Sequence, residues 1–212
     1  MEIEIRWIDD AELRRSAAVF LQQHRIADKL PIPIELVIEQ IGIDIVPVHN
    51  LQVDFDMVGC VSADMTTIFV DLDVSEKREN RYRFTLAHEL AHVILHRELL
   101  QRLRKGARTI EAWVELNGQM AGNTGASIEY QANMFAGLVL VPPAPLAVAC
   151  TELVPELKNK VIEASKGAAP AEARKYALAM LVDEIGDLFQ VSTQVVEKRL
   201  DYDGYTAATL FA

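Results

Sequence analysis

Residues 83–96 read Arg-Phe-Thr-Leu-Ala-His-Glu-Leu-Ala-His-Val-Ile-Leu-His. Within them, His88, Glu89 and His92 form a His-Glu-x-x-His pattern. On a helix, residues four apart lie about 40° apart around the axis and roughly 6 Å apart along it, so both imidazoles can reach one metal ion. Glu89 lies about 100° around the helix from His88, where its carboxylate can act as a general base on a water at the metal. The pattern predicts a metal-binding helix.

The alternative interpretation is a buried core helix that carries polar residues by chance. The neighbours of the motif are almost all apolar and leave no polar face, which predicts a buried helix. In such a place an unpaired ionised carboxylate is very unfavourable, and a divalent cation supplies the missing counter-charge. Three of the chain's five histidines also lie between residues 88 and 96. We therefore favour the metal site.

Length and composition indicate an ordinary folded protein. The chain has 212 residues, enough for one good hydrophobic core or for a domain with a small appendage. Hydrophobic residues make up 50% and charged residues 25%, which is typical of a globular domain rather than a disordered chain. The net charge of -10 argues against a general affinity for nucleic acid or for anionic membranes. We expect no direct nucleic-acid partner and no membrane.

The N-terminus and the cysteines bear on the cellular compartment. Residues 1–6 carry acids where a secretory signal carries lysine or arginine, and no apolar run approaches the ~18 residues of a membrane span. Cys60 and Cys150 make neither a disulfide framework nor a Cys-x-x-Cys metal knuckle, so both are interpreted as small buried hydrophobes. We therefore expect a cytoplasmic protein.

The residues before the motif predict two helices and three strands. Apolar side chains recur at helical spacing in residues 9–23, with acids at the favourable N-terminal end. Two prolines open a second helix at 34–40, which Gly42 can close in a left-handed conformation. Pro47 places the first strand at a sheet edge, and the elements together predict an α+β fold. The strands are expected at residues 43–48, 57–62 and 66–71, with a candidate turn at 63–65.

The residues that flank the motif are less regular. Charged side chains dominate residues 73–83, where Ser75 is a candidate helix cap, and the motif helix is expected to run to about Leu100. Residues 97–128 combine basic side chains with glycines and predict a surface segment. It is either a solvated connection or a flap over the metal cleft, since unusually long loops are often lids.

A third metal ligand is needed, because a catalytic zinc usually takes three protein ligands and leaves the fourth position to water. Residues 128–142 form a second apolar helical run that ends in prolines. Glu129 lies at its start, 37 residues beyond His92, and is the candidate ligand. Asn133, one turn further along the same face, could hydrogen-bond a ligand.

His96 is the rival third ligand. It lies roughly 12 Å along the helix axis from His88, whereas each ligand atom must lie about 2 Å from the ion. A glycine after the second histidine would let the chain turn back, but the residue three beyond His92 is Leu95. His96 is therefore interpreted as a structural residue or as the hydrogen-bond partner of a ligand.

Two signatures in sequence carry a resemblance to a known family. The first is the motif in residues 84–96; the second is Glu-x-x-Ala-Asn-x-Phe-Ala at 129–136, followed by Leu-Val-Leu-Val-Pro at 138–142. Over about residues 31–205 the chain resembles the ImmA/IrrE family of zinc metallopeptidases. Many zinc peptidases share the first signature, whereas the two together are specific.

The resemblance implies a fold and a domain arrangement. The fold is a small thermolysin-like (zincin) metallopeptidase core with a short twisted sheet, the motif helix and C-terminal helices. Residues 1–142 would form this core together with the N-terminal helices. Residues 143–212 would form a helical region packed on the core, so that the two make one structural unit.

The resemblance also implies an activity. Zinc, one ion per chain, would be held by His88, His92 and Glu129, with Glu89 as the catalytic glutamate. The protein would be an endopeptidase whose substrate is a helix-turn-helix transcriptional repressor, and cleavage would derepress mobile-element or stress-response genes. The group that stabilises the oxyanion is left open.

Two other functions remain as alternatives. One is a zinc-containing sensor or antirepressor that acts by binding a protein without cleaving it, although a structural zinc site is normally closed by four protein ligands. The other is a DNA-binding regulator, suggested by a helix-turn-helix pattern at residues 176–200 in which Ser192 or Thr193 can cap the second helix. Because phosphate contacts need a basic surface and this pattern is rich in acids, a packing role is favoured.

The substrate is expected to bind as an extended peptide. Residues 66–71 are predicted to be an exposed sheet edge next to the metal helix, to which a peptide could add as a further strand. The segment 97–127 is long enough to cover such a peptide and to limit activity until a signal moves it.

Overall fold

Two helices open the described chain, and the sequence explains where each begins and ends. α1 spans Asp10–Gln23, and the Asp9 side chain caps it by accepting a hydrogen bond from the Glu12 amide at 2.8 Å. α2 spans Ile34–Gln40, and Gly42 follows it with a φ of +80°, a left-handed conformation that glycine adopts without strain. Both predicted helices are confirmed. The computed structural model describes residues 6–62, 64–104, 123–164 and 170–211.

Three short strands form one mixed sheet. β1 spans Asp44–Val48, β2 spans Gly59–Val61 and β3 spans Thr67–Asp71. β3 lies in the centre, paired parallel to β1 and antiparallel to β2. Pro47 lies in the edge strand β1, as predicted, because a residue without an N–H is tolerated there. The predicted α+β class is confirmed, in a mostly helical form.

The prediction that residues 66–71 form an exposed sheet edge is wrong. This segment is β3, which has a neighbouring strand on both sides. The chain leaves β1, passes through the short helix α3 at Leu51–Phe55 and through β2, and then inserts β3 between the first two strands. The parallel pairing of β1 with β3 uses α3 and β2 as its crossover connection. The outer strand that contacts the motif helix is β2.

The motif lies in a buried helix, as predicted. This helix, α5, spans Glu79–Leu95 and follows the short helix α4 at Leu72–Lys77. It packs against the sheet and against α7, which spans Asn123–Leu140. Apolar residues around much of its circumference explain this double packing. Those with no solvent exposure are Leu86, Ala87, Leu90 and Ala91.

The candidate cap Ser75 is a wrong prediction. α4 begins at Leu72, four residues before the Glu76 start that a Ser75 cap predicts, and Asp71 caps it by accepting a hydrogen bond from the Val74 amide at 3.3 Å. Ser75 lies inside the helix, where its hydroxyl donates to the Leu72 carbonyl at 2.8 Å. Aspartate is among the strongest N-cap residues, and here it ends the strand and starts the helix.

The motif helix is also shorter than predicted. It ends at Leu95 rather than near Leu100, and a second helix, α6, spans Arg97–Arg104. His96 lies between them with a φ of -115°, outside helical geometry. The break therefore falls at the third histidine of the cluster, whose ring is held by hydrogen bonds described below.

Helices complete the chain. Arg199, in the second helix of the predicted helix-turn-helix, is buried and donates from Nε to the Val141 carbonyl just beyond α7, at 3.1 Å. Ser192 takes the N-cap position of that helix, as predicted, although its side chain makes no capping hydrogen bond. Buried residues before and after residue 142 belong to one hydrophobic cluster, and the division at that point stays a prediction. The helices are α8 Pro143–Ala164, α9 Pro170–Phe189, α10 Thr193–Tyr202 and α11 Ala207–Leu210.

Some expectations concern residues that the structure does not describe. α6 and α7 occupy both ends of the segment 97–128, which is less irregular than predicted. Residues 105–122 and Ala63 lie outside the described ranges, so the flap and that part of the candidate turn stay predictions. Within those ranges no single helix has the length and apolar character of a membrane span; only Ala126–Leu140 and Pro143–Lys160 taken together, bent by 57°, meet those two criteria.

Both cysteines are free and buried, as predicted. Burial raises the pKa of Cys60 to about 12 and that of Cys150 to about 11. A thiol that resists ionisation is a poor nucleophile and a poor metal ligand. The two side chains therefore act as small apolar groups in the core.

Candidate metal centre

Side chains from two helices converge on one point. His88 and His92 lie one turn apart on α5, and their Nε2 atoms are 3.1 Å apart. Glu129, near the start of α7, places Oε2 3.1 Å from His88 Nε2 and Oε1 3.4 Å from His92 Nε2. The packing of α7 against α5 thus brings together the three residues that the sequence suggested as ligands.

The separations between these atoms fit a metal ion. Two ligands that each lie ~2.0–2.1 Å from a tetrahedral zinc are about 3.3 Å apart. The observed separations run from 3.1 to 3.4 Å, and one ligand atom from each residue lies within 4.8 Å of the others. Two imidazoles and one carboxylate are also the donor set of many catalytic zinc sites. His88, His92 and Glu129 could therefore hold a metal ion.

Charge within the cluster favours a cation. Burial opposes a charge on the His88 ring, but its hydrogen bond to Glu129 and the nearby Glu89 carboxylate outweigh burial and raise its pKa. Burial by itself would raise the pKa of Glu129, yet its hydrogen bonds to His88 and His92 hold that pKa below the usual range. The Glu129 side chain is 57% exposed, so the cluster is open to solvent on the α7 side.

Glu89 lies on another face of α5, against the outer strand. It is only 7% exposed, and the Val61 amide of β2 donates a hydrogen bond to its carboxylate. Burial raises the pKa of Glu89, and the attraction of His88 and His92 opposes that rise only in part. The structure therefore holds this carboxylate where β2 meets the motif helix, within electrostatic reach of the cluster.

Gly59 permits this close contact, and the sequence analysis missed it. A Cβ at this position would lie 2.5 Å from Thr85 Cγ2 and 3.3 Å from Glu89 Cγ. Glycine therefore lets β2 approach α5 more closely than any other residue would. The available signal was a glycine within a short predicted strand, since such residues often mark a close backbone approach.

Polar side chains support the second ring nitrogen of each histidine. His88 Nδ1 lies 3.2 Å from Asn133 Oδ1, the contact that the shared face of Glu129 and Asn133 led us to expect. His92 Nδ1 lies 3.1 Å from His96 Nδ1. His96 thus lies behind His92, away from the atoms that converge. Burial, followed by the charge of His92, lowers the pKa of His96 to about 4, so its ring is neutral near pH 7.

Gln131 extends this support and was not predicted. Its Oε1 lies 2.9 Å from His96 Nε2, and the residue has no solvent exposure. Residues 128, 131, 135 and 138 share one face of α7, and the other three are buried and apolar. A lone glutamine on an otherwise apolar helical face was the signal that could have identified it.

The two tyrosines near the site hydrogen-bond elsewhere. The Tyr82 hydroxyl donates to Glu35 at 2.6 Å, and burial, followed by that hydrogen bond, raises the pKa of this tyrosine above its usual range. The Tyr130 hydroxyl donates to Asp10 at 3.4 Å, and its ring stacks on Trp7 with centroids 6.2 Å apart. These contacts tie α5 to α2 and α7 to the N-terminal segment.

A pair of histidines, a carboxylate and an adjacent buried glutamate define a candidate metallopeptidase. Sequence comparison agrees: residues 67–201 match the family model of the IrrE N-terminal-like domain, Peptidase M78. The chain belongs to this family, and the predicted resemblance to ImmA/IrrE proteins is confirmed. The matched range contains every residue of the cluster.

A solved structure shares the fold. A Mycobacterium tuberculosis transcriptional regulator is similar with a TM-score of 0.53 and 17% sequence identity. The similarity covers 90% of this chain and 46% of that one, so the chain spans about half the length of that regulator. At this identity the likeness shows the fold alone. No curated protein matches the sequence significantly.

Proposed function

We propose that this protein is a zinc-dependent endopeptidase. The observation that carries the proposal is the convergence of His88, His92 and Glu129 with separations of 3.1–3.4 Å. Three protein ligands on one open side leave room for water and for a peptide carbonyl, which is the arrangement of catalytic rather than structural zinc. The thermolysin-like zincin core implied by the family is part of this proposal.

Each residue has a distinct task. Zinc, when bound, supplies Lewis acidity, which polarises the scissile carbonyl and makes water a nucleophile near neutral pH. His88, His92 and Glu129 hold the ion. Glu89 accepts a proton from the attacking water and later delivers it to the leaving amine. The Val61 amide orients Glu89 for this task through its hydrogen bond.

The substrate peptide is proposed to bind along β2. This strand pairs with β3 along one edge only, and it contacts the motif helix α5. An extended peptide added beside it would run past Glu89, and backbone hydrogen bonds would supply much of its affinity. Gly59 keeps the strand close enough to α5 for this geometry.

The proposed substrate is a helix-turn-helix transcriptional repressor. This part of the proposal depends on family membership, because cleavage of such repressors is what the resemblance implies. The acidic net charge of -10 is compatible with a protein target that itself carries the DNA-binding surface. The cytoplasmic location expected from the sequence belongs to the same proposal.

Incubation of the protein with candidate repressors tests this function. We expect cleavage that a chelator stops and added zinc restores. Glu89→Gln should keep zinc and fold but lose roughly 10²–10⁴-fold in rate, because an amide cannot accept the proton. Glu79→Gln, the same change at an exposed position of α5, is the matched control and should cleave normally.

The outcomes separate the candidate functions. Undiminished cleavage by Glu89→Gln would remove this residue from the mechanism. Repressor binding without cleavage, unaffected by Glu89→Gln, would instead support the sensor or antirepressor alternative. Direct binding of the wild-type protein to operator DNA would support the DNA-binding regulator.

A further inference from the structure

A chain of hydrogen bonds runs from the metal cluster into the core. It begins at His92, whose Nε2 faces His88 and Glu129. It continues from His92 Nδ1 to His96 Nδ1 at 3.1 Å and from His96 Nε2 to Gln131 Oε1 at 2.9 Å. All three of its members are buried. Water therefore has little access to replace any link of this chain.

A metal ion at His92 permits only one direction for this chain. Coordination uses the lone pair of Nε2, so the remaining ring proton is on Nδ1. His92 Nδ1 then donates to His96 Nδ1, which must be unprotonated. A neutral His96 carries its own proton on Nε2 and donates it to Gln131 Oε1. Each atom has the role that its neighbour requires.

The orientation of the Gln131 amide selects this direction. If the amide were turned over, its Nε2 would donate to His96 Nε2, and every proton in the chain would shift. His92 would then carry a proton on Nε2, the atom that must bind metal. The tautomer of a ligating histidine is commonly set by the bond that its other nitrogen makes.

We propose that Gln131 is a positioning residue that, through His96, holds His92 in its metal-binding tautomer. The inference rests on the proposed function only in requiring a divalent metal at His88, His92 and Glu129. A further observation supports a task for Gln131 beyond packing. Its Nε2 is buried and lacks a hydrogen-bond partner among the described residues. A side chain that served only to fill space would not need this unsatisfied group.

Variants of the full chain can test each link. Gln131→Met keeps the length of the side chain but removes the acceptor, and His96→Leu removes the acceptor for His92. His96→Asn places an amide oxygen near the position of Nδ1 and so keeps that acceptor. Leu138→Val, two turns further along the same face of α7, is the matched control for a change in core packing.

The first measurement is zinc affinity, by competition with a chromophoric chelator. We expect Gln131→Met and His96→Leu each to lose about 10- to 100-fold, as is usual when the partner of a ligating histidine is removed. His96→Asn should recover most of the loss, and Leu138→Val should bind as the wild type does. Circular dichroism establishes that each variant is folded.

The second measurement reads the tautomers directly. In the zinc-loaded wild type, nitrogen NMR of the imidazoles should show His92 protonated on Nδ1 and His96 protonated on Nε2. Wild-type protein with zinc but with His96 protonated on Nδ1 would overturn the inference, and so would unchanged affinity in Gln131→Met. A wild-type protein that holds no zinc would overturn the proposed function as well.

Discussion

His88 and His92 are supported in different surroundings. His88 Nδ1 meets Asn133, an exposed residue of α7, whereas His92 Nδ1 meets the buried pair His96 and Gln131. On the exposed side, water can replace a lost hydrogen-bond partner. On the buried side, water has little access, so an N–H group that loses its acceptor stays unpaired. Similar contacts at the two histidines are therefore expected to have unequal consequences.

One helix serves both sides of this comparison. α7 supplies the exposed Asn133, the buried Gln131 and the proposed ligand Glu129. The packing of α7 against α5 therefore positions the proposed third ligand and both hydrogen-bond partners at once. In the proposed enzyme, the open side would leave room for substrate, and the buried side would hold the His92 ring in place.

The largest expected effect tests whether both histidines bind metal at all. His88→Ala, His92→Ala and Glu129→Ala should each abolish stoichiometric zinc binding, because only two protein ligands would remain. Metal analysis after gel filtration measures this loss. Glu79→Ala, at an exposed position of α5, should retain one zinc per chain. Full zinc content in Glu129→Ala would mean that the third ligand is a different residue.

Local patterns were enough to locate the elements around the site. Capping by Asp9 marks the start of α1, and the positive φ of Gly42 marks the end of α2. Both signals depend on neighbouring residues alone. The i, i+4 spacing of His88 and His92 likewise needs only one helix. Helical geometry also separated His96 from that pair, and its ring lies behind His92.

The order of the strands could not be read from the sequence. β3 was expected at an edge because it precedes the motif helix, yet it pairs with β1 and β2 on both sides. Strand order depends on contacts between distant residues, and three short apolar strands allow several arrangements. Because of this error, the sequence analysis assigned the peptide-binding edge to β3, whereas the proposed edge is the outer strand β2.

Contacts across helices were also beyond the sequence. Gln131 and His96 are 35 residues apart, and nothing local indicates that they meet. The approach of Gly59 to Glu89 likewise depends on how β2 lies against α5. Side chains that support a site from a second element are therefore the part that periodicity does not predict.

The next prediction compares the loss of zinc affinity on the exposed side with the loss on the buried side. Asn133→Ala should lower zinc affinity by less than about tenfold, because water can accept the proton of His88 Nδ1 in place of the amide. Gln131→Met should lower zinc affinity more, since His96 and Gln131 are buried and water has little access to them. Chelator competition on both variants under one set of conditions gives the ratio. Equal losses would show that burial does not distinguish the two sides.

The smallest expected effect concerns the acid sensitivity of the buried side. Burial lowers the pKa of His96 from 6.5 to about 4. On acidification below about pH 6.5, the unfolded chain takes up a proton at His96 and the folded protein does not, so the free energy of unfolding decreases until about pH 4. Well above pH 6.5, His96 is neutral in both states and does not contribute to the pH dependence of stability. Between pH 7.5 and pH 5.5, metal-free wild type should therefore lose about 1 kcal/mol more stability than His96→Asn, in which this group does not titrate.

Urea unfolding of both proteins in the presence of a chelator measures this difference. Leu138→Val, which keeps His96, should show the pH dependence of the wild type at a lower overall stability. If His96→Asn loses as much stability on acidification as the wild type, His96 is not held neutral by burial. The difference between the two histidines would then be confined to the hydrogen bonds themselves.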